Sequence, residues 1–350
     1  TYSRSNKTFN KSMMKNHIIH GDALTGLAKL PSDSIHCAVT SPPYWNLRDY
    51  GDSLQLGLED TPELYVERLC DILDEVKRVL RDDGTLWLNI GDTYATAKHG
   101  NDDPFHKPVN TKTFIKRTPK NCKQKDLIGI PWKVALKCRD RGWYLRRDII
   151  WQKPNAFPES VKDRPVTSHE YIFMLTKSKK YYYDFLAVRE KTHNLRSVWS
   201  CNIANFSKAH FATFPEELIT PCIKASTSEH GACKECGAQA IREYEHTEEF
   251  KKWRGKGYST YNATVEEPLN HGRRSVKPLR TTDLYRTTGW NLPCEHDSGV
   301  EPAIVLDMFM GAGTTGYVAK TLGRHYVGTE INEDYIKIAN DRLCQCELFN

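Results

Sequence analysis

Two short segments combine residue types at spacings that can do chemistry. Thr40-Ser41-Pro42-Pro43-Tyr44-Trp45 follows an apolar run, and its two prolines, unable to donate to a strand ladder, stop that run as a strand. The carbonyls and aromatic ring that follow are then left facing a cleft, an arrangement suited to an amino group on a flat base. The second segment is Val305-Leu306-Asp307-Met308-Phe309-Met310-Gly311-Ala312-Gly313-Thr314-Thr315. It reads as a buried strand with an acid at its carboxyl end and a Gly-x-Gly turn opening a helix, as in doubly wound sheets that hold an adenosine cofactor. Gly311 and Gly313 permit a tight turn and close backbone approach, while Glu330, after the strand at 325–328, has the spacing of an acid that binds ribose hydroxyls.

An exocyclic amino group is a poor nucleophile because its lone pair is delocalised into the ring. A Pro42 carbonyl and a Ser41 Oγ that accept its two hydrogens would draw that lone pair out of conjugation, with Tyr44 stacked on the base and Pro43 stiffening the loop. Direct in-line transfer of a sulfonium methyl then needs no covalent intermediate and gains its rate from positioning. A paired base must first be flipped out, because its amino group is otherwise buried in the duplex. Blander readings exist: a proline-terminated strand with Ser41 as a cap, and a glycine turn that is merely structural. A nicotinamide enzyme would use a similar fold, but it places its glycine turn early and leaves 41–44 unexplained. Carbon-5 chemistry would need a Pro-Cys nucleophile. Pro221-Cys222 and Pro293-Cys294 both lie in the wrong context, and Cys222 reads as a small apolar residue of a helix at 216–225.

Other segments fall in order with these two: Gly21-Asp22 after an apolar strand, Gly91-Asp92 after a second, Trp151-Gln152-Lys153-Pro154, and Phe211-Ala212-Thr213-Phe214-Pro215-Glu216-Glu217-Leu218. With them the chain resembles the beta-class (permuted) DNA amino-methyltransferases of the N4/N6 DNA methylase family, where the catalytic motif precedes the cofactor motif. The Ser-Pro-Pro-Tyr form is similar to the cytosine-N4 branch, whereas adenine-N6 members usually carry Asp or Asn in place of Ser41. The resemblance implies an α/β, Rossmann-like methyltransferase fold, S-adenosylmethionine as cofactor and flipped-out DNA cytosine as substrate. It implies a catalytic set Ser41, Pro42, Pro43 and Tyr44. It also implies a cofactor set in which Asp307 and Phe309 line the methionine end, Gly311, Gly313, Thr314 and Thr315 add contacts, Glu330 holds the ribose, and Asp22 lies on the adenine side. Adenine-N6 methylation, an RNA substrate, and an inactive DNA-binding module with this fold remain as alternatives.

Cys233-Lys234-Glu235-Cys236 followed by Gly237 has knuckle composition, turning two thiolates toward one metal, and Cys294-Glu295-His296 supplies a second pair. A Cys₃His set suits tetrahedral structural zinc and would stabilise a polar segment that has little core of its own. His230 is a substitute fourth ligand. Surface thiols without metal, or a redox pair, are the competing readings.

The elements that must position these residues alternate between strand and helix. Strands are expected at 17–20, 35–40, 85–90, 143–151 and 170–176, and helices at 23–30, 61–80 and 127–141. The helix at 61–80 has Thr61 as cap and Pro62 at its first position, with Leu64, Leu69, Ile72, Leu73, Val76 and Leu80 on one face. Asp82-Asp83-Gly84 closes it. Such alternation predicts a mostly parallel, doubly wound sheet. Residues 226–299 break the pattern, being polar, rich in Gly, Arg and Glu, and without periodicity. The catalytic domain is therefore expected at 14–225 plus 300–350, with 226–299 an insertion for zinc and target recognition.

The chain has 350 residues, 39% hydrophobic and 27% charged, with net charge +6, a globular composition that permits a polyanionic partner. Residues 93–125 hold eight Lys or Arg against Asp102 and Asp103, a basic stretch suited to phosphate contact. Trp199, Tyr258, Arg254, Lys256, Arg273, Arg274 and Arg280 are candidates for reading or wedging DNA, and Tyr181-Tyr182-Tyr183 reads as strand packing. The eleven cysteines are odd in number and scattered, unlike a secreted disulfide framework. No apolar run approaches a membrane span, so the expectation is a soluble intracellular protein, cytoplasmic in a bacterium or phage host and nuclear in a eukaryote. Met14-Lys15-Asn16-His17 reads as a natural start, leaving 1–13 a leader of unassigned role.

Overall fold

The computed structural model of the protein describes residues 15–47, 52, 54–95, 118–190, 193–203, 214–250 and 284–345. The leader, most of the basic 93–125 stretch, Phe211 to Thr213, Tyr258, Arg254, Lys256, Arg273, Arg274 and Arg280 lie outside the described residues. Along the chain run strands β1 (His17–His20), β2 (Ile35–Thr40), β3 (Leu80–Ile90), β4 (Tyr144–Gln152), β5 (His169–Thr176), β6 (Val198–Ser200), β7 (Ala232–Cys233), β8 (Ile241–His246), β9 (Tyr285–Asn291), β10 (Val300–Glu301), β11 (Ile304–Asp307) and β12 (His325–Glu330). Helices are α1 (Ala23–Leu27), α2 (Pro62–Val79), α3 (Ile130–Asp140), α4 (Glu216–Ser226), α5 (Thr314–Thr321) and α6 (Glu333–Gln345).

Eight strands form one sheet in the order β1-β12-β11-β2-β3-β5-β4-β6. All neighbours are parallel except β3–β5 and β5–β4, where β5 runs against the rest. Alternate residues of each strand feed two apolar layers. Leu86, Leu88, Phe173 and Leu306 pack with α1, α2 and α3, while Val39, Trp87, Met174 and Val305 pack with α4, α5 and α6. The architecture is thus the mixed α/β, mostly parallel sheet with helices on both faces that the alternation predicts.

Local chemistry sets the element ends. Thr61 Oγ1 accepts from the Leu64 amide at 3.2 Å and Pro62 opens α2, as expected. The helix stops at Val79, earlier than the Asp-Asp-Gly signal, because Leu80 turns extended and pairs with Ile35 at once. Leu64 is 54% exposed, and Tyr65 and Val66 fill the buried face in its place. Helix α3 begins three residues later than its pattern, since Gly129 adopts φ 79° and Pro131 fixes the first turn. The insertion is less irregular than its composition indicates. β8 and β9 pair antiparallel within it, and β7 pairs with β10.

Candidate functional site

Strand β2 crosses over to β3 on one side and β11 to β12 on the other, so the sheet's switch point lies between β2 and β11. Open α/β sheets bind ligands outside the carboxyl ends of their strands at such a point. A cavity of about 450 Å³ lies there. Its walls include Asp22 after β1, Ser41, Pro42, Pro43 and Tyr44 after β2, Asn89 in β3, Asp307, Phe309, Gly311 and Thr314 around β11, and Glu330 ending β12. The two motifs, far apart in sequence, therefore line one space.

The loop after β2 is held from several sides. Tyr65 of α2 donates to the Pro43 carbonyl at 2.9 Å, Trp45 Nε1 to the Glu59 carbonyl at 2.8 Å, and the Asn46 amide to the Gly57 carbonyl at 2.8 Å. The Tyr44 ring lies against Gly91, where a Cβ would stand 2.7 Å from Cε2, which gives a physical reason for a glycine there. Asp92 faces away from this chemistry. Its carboxylate accepts the amides of Thr93, Gly129 and Ile130 and so caps α3.

On the cofactor side, Glu330 accepts the Gly311 amide at 2.8 Å and the Asn332 amide at 2.9 Å, with burial raising its carboxyl above the ordinary value. Asp22 accepts the Thr25 amide at 3.1 Å and caps α1 while facing the cavity. Asp307 is buried and fully engaged, accepting from Thr40 Oγ1 at 2.7 Å, Thr315 Oγ1 at 2.7 Å and the Phe309 amide at 3.0 Å. Burial raises its carboxyl too, against those donors. Of the expected cofactor residues, Gly313 and Thr315 do not line the cavity. Thr315 braces Asp307 from behind, and Gly313 lets α5 approach α6, since a Cβ there would meet Ala339 at 3.0 Å.

Three further residues of the cavity wall escape sequence reasoning about roles: Asn89, Lys153 and Glu170. Glu170 Oε2 accepts from Tyr44 Oη at 2.7 Å and Asn89 Nδ2 at 3.1 Å, while Lys153 pairs with Oε1. Burial first, then the Glu170 charge, holds the Tyr44 phenol well above its usual range. Lys153 sits in the Trp151-Gln152-Lys153-Pro154 segment, which was the available signal. Glu170 carried none, because only the reversed direction of β5 brings its first residues to this end of the sheet.

Cys233, Cys236, Cys294 and His296 come together at the opposite end, their ligand atoms all within 4.8 Å of one another. His296 Nδ1 faces Cys233 Sγ at 3.8 Å and its Nε2 faces Glu235 at 3.3 Å, the carboxylate-backed orientation of a metal-bound histidine. Hydrogen bonds from the Ser298 hydroxyl and the Cys236 amide pull the Cys233 thiol down to about 6. The knuckle docks on the core: Arg81 donates to the Cys236 carbonyl at 2.6 Å, and His36 Nε2 donates to the Gly237 carbonyl at 3.0 Å while its Nδ1 accepts the Ile304 amide at 3.0 Å. His230 is not in the cluster; it stacks on Trp290 at 5.6 Å.

Other candidates are displaced by packing. Trp199 is 9% exposed, paired with Trp87 at 6.3 Å, and so is core rather than wedge. Tyr181 to Tyr183 follow β5 as coil rather than strand. Cys222 is buried inside α4, away from the cavity lining, and burial pushes its thiol well up.

Comparison with known proteins agrees with this geometry. The N6/N4 methyltransferase family model, described as DNA methylase, matches residues 35–234 and 298–341. The type II methyltransferase M.XycI of Xanthomonas campestris pv. cyanopsidis is 43% identical over 332 residues, 93% of this chain and 87% of that protein. M.SmaI of Serratia marcescens is 36% identical over 334 residues, 93% of this chain and 90% of that protein. Among solved structures, the PvuII DNA methyltransferase (cytosine-N4-specific) superposes with TM-score 0.57 at 17% identity, covering 94% of this chain and 86% of that one. A DNA modification methylase of Thermus thermophilus, TTHA0409, complexed with S-adenosyl-L-methionine, gives TM-score 0.50 at 21% identity, covering 94% of each chain. These two share the fold. With most of the chain matched by the family model and 43% identity along nearly its whole length, this protein belongs to the N6/N4 family of DNA methylases.

Proposed function

We propose that the protein methylates the exocyclic N4 amino group of cytosine in DNA, with the target base flipped into the 450 Å³ cavity and S-adenosylmethionine held beside it. The observation that carries this reading is the convergence of Ser41 to Tyr44 and the Asp307 to Gly311 turn on that one cavity. The cofactor supplies an electrophilic methyl group. Ser41 Oγ and the Pro42 carbonyl accept the amino hydrogens, Tyr44 presents its ring to the base, and Asp22, Phe309, Gly311, Thr314 and Glu330 form the cofactor wall. Support for cytosine over adenine comes from Ser41, where adenine-specific relatives usually carry Asp or Asn. Mass spectrometry of nucleosides from DNA methylated in vitro tests it. N4-methylcytosine is expected; N6-methyladenine would replace the base, and an unmethylated product would overturn the activity.

We further infer one structural zinc at Cys233, Cys236, Cys294 and His296. The support is the cluster's compactness and the Glu235 carboxylate behind His296. Residues 14–225 and 300–350 then act as the catalytic domain and 226–299 as a zinc-organised insertion for target recognition, with the basic 93–125 stretch on DNA phosphates.

A further inference from the structure

We propose that Glu170 is the final acceptor of the proton lost by the base amino group, reached through Ser41 and Tyr44. The inference rests on the reading of the cavity as a site of amino methylation, and it adds a residue outside both motifs.

The hydroxyls run in one direction. Ser41 Oγ donates to Tyr44 Oη at 3.5 Å, and Tyr44 Oη donates to Glu170 Oε2 at 2.7 Å. Each O–H points away from the base position, so Ser41 Oγ keeps its lone pairs for an amino N–H. The 3.5 Å step is long, as such contacts often are before a substrate tightens them. Glu170 is fixed at both oxygens, by Asn89 Nδ2 at 3.1 Å on Oε2 and by the Lys153 ammonium on Oε1. Asn89 also donates to the Tyr171 carbonyl at 3.1 Å, which orients its amide, and Lys153 lies 4.3 Å from the Trp151 ring centre. All of Ser41, Tyr44, Asn89, Lys153 and Glu170 line the cavity. A phenol held well above its usual range stays neutral and passes a proton on only as it receives one.

The electron and proton balance is complete. The amino lone pair forms the N–C bond while the C–S bond breaks and its electron pair stays on sulfur, leaving one proton too many on nitrogen. That proton moves to Ser41 Oγ, the Ser41 proton to Tyr44 Oη, and the Tyr44 proton to the Glu170 carboxylate. Both hydroxyls end as they began. The Glu170 side chain, 18% exposed, then returns the proton to water at the cavity mouth.

Single-turnover methylation of duplex DNA over a pH series tests the relay. Glu170→Gln still accepts from Tyr44 but takes no proton. It should react roughly 100-fold more slowly at neutral pH, or worse, with S-adenosylmethionine affinity unchanged by calorimetry and the acid limb of the rate profile lost. Formate should restore part of the rate in Glu170→Ala. Should Glu170→Gln lose cofactor binding through misfolding, Tyr44→Phe, which cuts the chain in its middle, decides by the same profile. Near-wild-type rates in these variants overturn the relay, as does a uniform slowing at every pH without formate rescue. Wild-type protein that methylates no base overturns the underlying reading instead.

Discussion

Thr40 and Asp307 stand 267 positions apart and meet through a 2.7 Å hydrogen bond across the gap between β2 and β11. Thr40 directly precedes Ser41, and Asp307 opens the cofactor turn. One buried carboxylate thus sets the distance between the group that is methylated and the group that donates methyl.

Asp307→Ala should therefore injure both halves at once. It strands the Thr40 and Thr315 hydroxyls and the Phe309 amide, each at about 1–3 kcal/mol if unsatisfied. Thermal melting, cofactor calorimetry and single-turnover rate should all fall together. Glu330→Ala should instead weaken cofactor affinity with the melting point little changed. Equal cofactor affinity in both variants and the wild type would mean that the pocket is misassigned.

Ser41→Ala and Tyr44→Ala remove groups that act on the base. Rapid-quench single turnovers should slow by orders of magnitude while S-adenosylmethionine binding holds. Retention of the wild-type rate by either variant contradicts the role given to that residue.

Gly91→Ala is a sharper probe of geometry than of chemistry. Its new Cβ would sit 2.7 Å from Tyr44 Cε2, so the ring must move. Activity is expected to drop at least ~10-fold, the factor that a barrier change of roughly 1.4 kcal/mol produces. Far-ultraviolet circular dichroism should be unchanged.

His36 makes stability fall with acid. Burial first, then the Arg81 charge, lowers it from 6.5 to about 4. The native state keeps the ring neutral, donating from Nε2 and accepting at Nδ1, whereas the unfolded chain takes a proton below 6.5. Its contribution is whole above 6.5 and is lost as pH falls toward about 4, on the order of 3 kcal/mol in all. Denaturant melts through that window should show a slope that His36→Asn flattens. Identical slopes would place the acid sensitivity elsewhere.

Elemental analysis should find about one zinc per chain, because a Cys₃His set closes one tetrahedral site. Cys233→Ser should lose it together with the protease resistance of the insertion, while the central sheet survives. Metal-free protein with an equally protected insertion would leave the thiol cluster without a metal role.

What could be read from sequence was whatever local chemistry decides. Thr61 and Pro62 announced α2, and the prolines after Ser41 announced the end of β2, because caps and strand stops depend on neighbours in the chain. Leu64 misled, since helical spacing alone places it on the inner face while the first turn of α2 stays open to solvent. Gly313 and Thr315 have the right types but stand one layer behind the cavity, a matter of how α5 meets α6. Glu170 and Asn89 gave no local sign at all: their meeting with Tyr44 follows from β5 running backwards beside β3, which is a property of pairing rather than of pattern. The hairpin of β8 and β9 was hidden by the polar, half-exposed faces of both strands.

The interleaved order β1-β12-β11-β2 has a consequence for the nascent chain. Within the described residues β1 pairs with β12, and one edge of β2 with β11, both supplied by residues 304–330. A ribosome that has not yet released those residues therefore presents β1 without a neighbour and β2 with an open hydrogen-bonding edge beside Cys37 and Val39. Such edges invite pairing with other chains, so the order of synthesis makes the cofactor pocket a late event and exposes its unfinished half to aggregation and to chaperones.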